Sequence, residues 1–223
     1  MAHRGASGRH HENSLAAFRA AVDQDADGIE LDVHATSDNV IVVHHDAELP
    51  GAGAIASLTG AEVAEARLPT GEPIPLLAEA LDLAASLRIY VEVKHLAATA
   101  DEALLGVLDG GPSPDRYQVH SFDHRIIARL GRLRPRLARG ILLCARPVDL
   151  APLVAQTGAT TLWQDRQLVD ATLVSETRGL GLDLIVWTVN EDTEIERIRQ
   201  LGVTGICGNY PDRLRAIVDR PHG

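Results

Sequence analysis

Residues 27–46 read DGIELDVHATSDNVIVVHHD, and they place Glu30, Asp32 and His34 at every second position. On a strand that spacing turns all three to one face, while the aliphatic residues between them turn to the other. After HATSD the chain climbs back through Val40, Ile41, Val42 and Val43 to His44, His45 and Asp46. That connection is too short for the crossover that joins parallel strands. The spacing therefore predicts an antiparallel hairpin arm over 34–45, turning near Ser37 and Asp38 and bringing His45 about opposite Leu31 and Asp32. A strand carrying two acids, with a histidine returned to meet them, reads as the beginning of a site.

Outward from this stretch the chain alternates short apolar strands with amphipathic helices. Helices are predicted over 13–24, 73–87, 99–108, 123–133, 149–157, 170–179, 191–201 and 211–218. Asn13 or Ser14 is the expected N-cap of the first. Strands are predicted at 28–33, 89–94, 117–122, 139–144, 160–164, 183–190 and 204–209. Only Met1 and Ala2 precede His3, so a stub ending at His3 completes a set of eight parallel strands. Eight βα units in about 220 residues describe a single-domain (β/α)8 TIM barrel spanning 1–223, with a shortened first strand and a hairpin excursion after the second. An open doubly wound sheet is the alternative, but no glycine-rich phosphate loop follows the first strand. Residues 50–72, rich in Gly and Ala, are expected to form one long loop at the rim, able to act as a lid.

In a TIM barrel the chemistry sits at the C-terminal strand ends. His3 and Arg4 end the first strand, Glu30 and Asp32 the second, Glu92 and Lys94 the third, and Trp187 and Asn190 the seventh. Glu92 and Lys94 share a strand face, as Glu30 and Asp32 do. Three carboxylates converging on one rim repel each other, and one stays protonated unless a cation neutralises them. Oxygen donors without cysteine suit a hard divalent ion, Mg²⁺ or Ca²⁺. On either strand alone, acids facing water would be the simpler reading. His3 and His45 are the candidate acid–base pair, because imidazole both takes and gives a proton near neutrality. Arg4 offers a fork, and Lys94 a point charge, to an anion. Lys94 is the sole lysine among 21 basic residues. Trp187 is either barrel core or a flat wall for a substrate. His10, His11 and His222 read as structural or surface residues; His34, His44, His95, His120 and His124 receive no role.

Composition narrows the partners. A net charge of −10 argues against nucleic acid. No apolar run approaches the roughly 20 residues of a membrane span. The polar start MAHRGASGRHHENS lacks the pattern of a secretory signal, and Cys144 and Cys207 read as two buried thiols of a reducing compartment. A cytoplasmic protein acting on a small molecule is the expectation.

The ordered set HRGASGRHHENS, GIELDVHATSDNVIVVHHD, IPLLAEAL, VEVK, HSF and WTVN resembles the glycerophosphodiester phosphodiesterases across nearly the whole chain. The resemblance implies a TIM barrel with a hairpin excursion and a divalent metal, cleaving glycerophosphodiesters to glycerol 3-phosphate and an alcohol. It also implies roles: Glu30, Asp32 and Glu92 as metal ligands, His3 and His45 as acid and base, Arg4 and Lys94 as phosphate contacts, Trp187 as a pocket wall. In that family the neighbouring glycerol hydroxyl is the nucleophile, giving a cyclic phosphate that water opens. Two positions depart from the pattern. His11 stands where proline usually precedes Glu-Asn, and Gly208-Asn209-Tyr210-Pro211 stands where Thr-Asp-x-Pro is usual. A barrel of the sphingomyelinase and phospholipase D type, acting on lysolipids, and a barrel that binds a phosphoester without turnover are the competing readings.

Overall fold

The computed structural model of the chain describes residues 1–219; His222 lies outside them. Eight parallel strands form the barrel: β1 (Ala2–His3), β2 (Gly28–Ala35), β3 (Arg88–His95), β4 (Tyr117–Ser121), β5 (Ala138–Leu143), β6 (Thr161–Asp165), β7 (Asp183–Trp187) and β8 (Gly205–Ile206). They pair in chain order, and a parallel bridge between Ala2 and Gly208 closes the circle. The closure is hydrogen-bonded both ways, His3 N–H donating to the Gly208 carbonyl at 2.9 Å and Gly208 N–H to the Met1 carbonyl at 3.2 Å. The helices are α1 (Leu15–Asp23), α2 (Gly60–Glu65), α3 (Leu77–Leu83), α4 (Asp101–Gly110), α5 (His124–Leu133), α6 (Ala151–Thr157), α7 (Ala171–Gly179), α8 (Asp192–Gln200) and α9 (Pro211–Val218). None is long and apolar enough to cross a membrane among the described residues.

Strand parity separates two cores. Ile29, Leu31, Val33, Ile89, Val91 and Val93 point outward, are at most 1% exposed, and pack with Phe18, Leu77, Leu81 and Leu104 of the surrounding helices. The opposite parity faces the barrel axis, where Leu142, Trp163, Ile185 and Cys207 fill the interior. Cys207 is buried as expected, but Cys144 is exposed, because it lies one residue past β5 in a surface connection.

The strand Ile41–Val43 pairs antiparallel with β2, Val33 opposite Val43 and Ala35 opposite Ile41. The other edge of β2 is taken by β3 along residues 28–34, so this pairing shares an edge with β1. β1 covers only Ile29 and Glu30 on that edge. Its shortness is what leaves the upper half of β2 free for the returning strand. His44 N–H then donates to the Asp32 carbonyl at 3.1 Å, which carries His45 back alongside Leu31 and Asp32.

Residues 50–72 are not the open loop their composition suggested. They carry part of a two-stranded ribbon (Glu48–Leu49 with Gly53–Ala54), a 3₁₀ turn at Ile55–Ser57, and α2. Thr59 and Glu62 form a capping box at the start of α2. Val42, Leu49, Ile55, Val63, Leu68 and Ile74 close into a core of their own. The segment is thus a packed buttress on the returning strand.

Candidate active site

Glu30, Asp32 and Glu92 reach the barrel axis from β2 and β3 and are all less than a tenth exposed. Asp32 sits beside Glu92 in the parallel register, and Glu92 beside His120 of β4. Donor atoms of Glu30, Glu92 and His120 all lie within 4.8 Å of one another. Burial first, then Asp32 and Glu92, push the Glu30 carboxyl well above the usual carboxylate range. Burial and the neighbouring Asp32 raise Glu92 to about 7. For Asp32 burial acts upward, but Arg4, Lys94 and a hydrogen bond from Asn13 outweigh it and hold the carboxyl below its ordinary value. Of three converging acids, one stays firmly ionised and two hold protons more tightly.

Two cations stand against these acids. Arg4 Nε lies 3.1 Å from Asp32 Oδ2, and Lys94 Nζ lies 2.8 Å from Glu92 Oε1 and 3.5 Å from Asp32 Oδ1. Arg4 is also gripped by Glu12, whose two oxygens each accept from Nη1 at 2.9 Å, and its backbone N–H donates to Glu30 Oε2 at 3.1 Å. That donation requires the backbone to turn sharply after β1. Arg4 has φ of 54°, a conformation that costs a non-glycine residue about 1–2 kcal/mol. Gly5 follows at φ of 80°, where a Cβ would lie 2.7 Å from the Ala17 backbone, so only glycine lets α1 approach the turn.

His3 Nδ1 donates to Asn209 Oδ1 at 2.8 Å, which leaves Nε2 unprotonated and 3.9 Å from Glu30 Oε2. Burial, and next the charge of Arg4, pull this imidazole down to about 4. The two-residue strand therefore does deliver His3 to the acids. Asn209, the departure from the usual acid, supplies its orienting acceptor. His45 is placed differently: its side chain is 35% exposed and its Nδ1 lies 2.8 Å from Asp46 Oδ1. His34 donates through Nε2 to the His45 carbonyl at 3.2 Å, pinning the return of the hairpin. Trp187 is half-buried, edge-on to Phe122 at 5.6 Å, with a buried indole N–H that has no hydrogen-bond acceptor. Among the described residues, neither His45 nor Trp187 makes a hydrogen bond or ion pair to the cluster of His3, Arg4, Glu30, Asp32, Glu92 and Lys94.

Four residues of this site had no role on sequence grounds. Glu12 clamps Arg4. Asn13, at φ of 55°, donates through Nδ2 to Asp32 Oδ2 at 2.8 Å and accepts from the Asp32 N–H at 3.2 Å. Ser14, not Asn13, caps α1, accepting from Ala17 N–H at 3.0 Å. The motif Glu12-Asn13-Ser14 therefore ties a helix start to both charged walls of the site. Asn209 and His120 are the other two. Asp32 Oδ1 is buried without a hydrogen-bond partner, and three acids crowd together with two of them raised. A cation among such crowded buried acids would offset their mutual repulsion and pair the free oxygen. The residues fit a divalent metal.

The family model for the glycerophosphoryl diester phosphodiesterase family matches residues 3–213. A glycerophosphodiester phosphodiesterase of Caldanaerobacter subterraneus subsp. tengcongensis is 29% identical, with 98% of this chain and 96% of that protein covered. The crystal structure of a glycerophosphodiester phosphodiesterase from Parabacteroides distasonis superposes with a TM-score of 0.86 at 27% identity, covering 97% of this chain and 94% of the other. An Oleispira antarctica phosphodiesterase in complex with its product sn-glycerol-3-phosphate shares the fold, with a TM-score of 0.92 at 24% identity and 98% and 96% covered. With a match that spans nearly the whole chain and includes every residue of the cluster at the barrel mouth, this TIM-barrel protein belongs to the glycerophosphoryl diester phosphodiesterase family.

Proposed function

We propose that the barrel mouth hydrolyses glycerophosphodiesters to glycerol 3-phosphate and an alcohol, with a divalent ion held by Glu30, Asp32 and Glu92. The observation that carries this reading is the buried cluster itself: three carboxylates converging on the barrel axis, flanked by Arg4 and Lys94. That arrangement suits a cation among the carboxylates and an anion beside Arg4 and Lys94. When bound, the ion, Mg²⁺ or Ca²⁺ on an all-oxygen reading, would offset charge building on the phosphoryl oxygens. Arg4 and Lys94 add fixed positive charge to the same oxygens in a site shielded from water.

His3 and His45 divide the proton work. His3 is neutral at pH 7 because burial and Arg4 hold it near 4, and Asn209 fixes its Nδ1–H, so Nε2 is the lone pair available to a hydroxyl. His45 donates to the Asp46 carboxylate, which that hydrogen bond holds below its usual range, so a protonated His45 ring is ion-paired and its Nε2–H can go to the leaving alkoxide. In the first step His3 takes the proton of the attacking glycerol hydroxyl and His45 protonates the departing alcohol. Opening the cyclic phosphate reverses them: His45 takes a proton from water and His3 returns one to the glycerol oxygen. Trp187 and Phe122 form an aromatic wall at the mouth suited to the substrate's carbon skeleton. The test is release of glycerol 3-phosphate from a panel of glycerophosphodiesters and lysolipids, with Mg²⁺, Ca²⁺ or chelator. Metal-dependent release from the glycerophosphodiesters supports the reading. Release from lysolipids alone moves the substrate to the rival class, and no release from any of them refutes catalysis.

A further inference from the structure

His120 is a buried imidazole with one ring nitrogen turned to the acid cluster and the other without a hydrogen-bond partner among the described residues. The residue is 1% exposed, and its ring lies flat on Trp163, centroids 4.2 Å apart and planes 7° from parallel. Trp163 is itself held, its indole N–H donating to Gln118 Oε1 at 3.1 Å and Tyr90 packed against its edge. The imidazole therefore cannot swing out to water. Nδ1 has no hydrogen-bond partner. Nε2 faces Glu30 Oε1 at 3.9 Å, too far for a hydrogen bond. The same 3.9 Å suits two donors on one ion, since ligand atoms about 2.1 Å from a metal can stand up to about 4.2 Å apart.

We infer that His120 is a direct ligand of the divalent ion, its Nε2 sharing the ion with the carboxylates of Glu30 and Glu92. This rests on reading the barrel mouth as a metal centre and specifies its chemistry. A shell of oxygens alone suits Mg²⁺ or Ca²⁺; an imidazole nitrogen shifts preference toward Mn²⁺, Co²⁺ and Zn²⁺. His120 then carries its proton on Nδ1, and the stacked Trp163 sets the ring plane. The hard-ion expectation drawn from three carboxylates becomes a mixed nitrogen–oxygen site.

The experiment is pulsed electron paramagnetic resonance of the full chain loaded with Mn²⁺, read for ¹⁴N coupling from a coordinated imidazole. His3 also stands 3.9 Å from Glu30, so two variants separate the sources. Coupling is expected in the wild type, retained in His3→Gln and lost in His120→Gln. Calorimetry should show His120→Gln weakening Co²⁺ and Zn²⁺ binding by at least about 10-fold, with Ca²⁺ affinity changing less than either. Bound Mn²⁺ without ¹⁴N coupling in the wild type, or coupling that survives His120→Gln, overturns the assignment and leaves the carboxylate metal centre standing. Failure of the wild type to bind any divalent ion overturns both. Because His120→Gln could disturb the Trp163 stack, anomalous scattering from Mn²⁺-soaked wild-type crystals gives an independent answer. A peak in contact with His120 Nε2, Glu30 and Glu92 supports the inference, and a peak in contact with carboxylates alone overturns it.

Discussion

Replacing Asn13 tests how far one buried amide organises the charged walls of the site. Asn13 is 1% exposed and makes two hydrogen bonds to Asp32, one to the carboxylate and one from the backbone N–H. A hydrogen bond to a charged group contributes about 1.5–3 kcal/mol and a neutral one about 1. Asn13→Gly removes both and keeps the left-handed backbone at no steric cost, so a loss of about 3 kcal/mol is expected. Asn13→Ala adds the left-handed penalty of about 1 kcal/mol. Asn13→Asp sets a second carboxylate against Asp32; at pH 7 it should be the least stable of the three and recover as acid protonates it. Urea unfolding followed by circular dichroism gives these differences directly. Glycerol 3-phosphate release should fall in all three, because Asp32 also orients Arg4 and Lys94. If Asn13→Gly unfolds within about 0.5 kcal/mol of the wild type, the Asn13–Asp32 pair does not hold the site together, and the role given to Glu12-Asn13-Ser14 is wrong.

His3→Ala and His45→Ala should each lower turnover by about 10²–10⁴-fold with circular dichroism unchanged, since both residues lie at the mouth and positioned acid–base groups contribute that much. Near-normal turnover in either variant removes it from the proton pathway. Stability should depend on pH with a definite sign. His3 and His120 fall from 6.5 to about 4 and about 3 on folding, so the unfolded chain binds more protons below pH 6.5 and thermal stability should drop as pH falls from 6.5 toward 3. Glu92 rises from 4.5 to about 7, so the metal-free protein should lose that contribution as pH climbs from 4.5 through 7. A bound ion replaces that proton, so stabilisation by added Mn²⁺ should grow across the same window; a melting-temperature gain independent of pH would contradict the shared site.

What was legible in the sequence followed from local periods. The every-second-residue spacing of Glu30 with Asp32, and of Glu92 with Lys94, needs only strand geometry, and a short connection forces the antiparallel return of Ile41–Val43. The Asn13–Asp32 and His3–Asn209 contacts span 19 and 206 residues, so no local pattern announces them. His120 shares strand parity with Gln118, but a lone histidine on an apolar strand is ordinary until its stack on Trp163 shows that it cannot reach water. In 50–72 the Thr59-x-x-Glu62 capping signal was present beneath a Gly- and Ala-rich composition that suggested a loop. The shortness of β1 was visible, but its consequence was not. The free edge of β2 that receives the returning strand exists only once the barrel is closed.

The central claim is that Glu30, Asp32 and Glu92 hold an ion on which phosphodiester cleavage depends. It is tested most directly by following glycerol 3-phosphate release from a glycerophosphodiester through chelation and metal add-back, in the wild type and in Glu30→Gln. The account predicts release that chelation abolishes and a divalent ion restores in the wild type, with Glu30→Gln needing far more ion for any recovery. Full activity in the chelated wild type, or a metal dependence unchanged in Glu30→Gln, would contradict it.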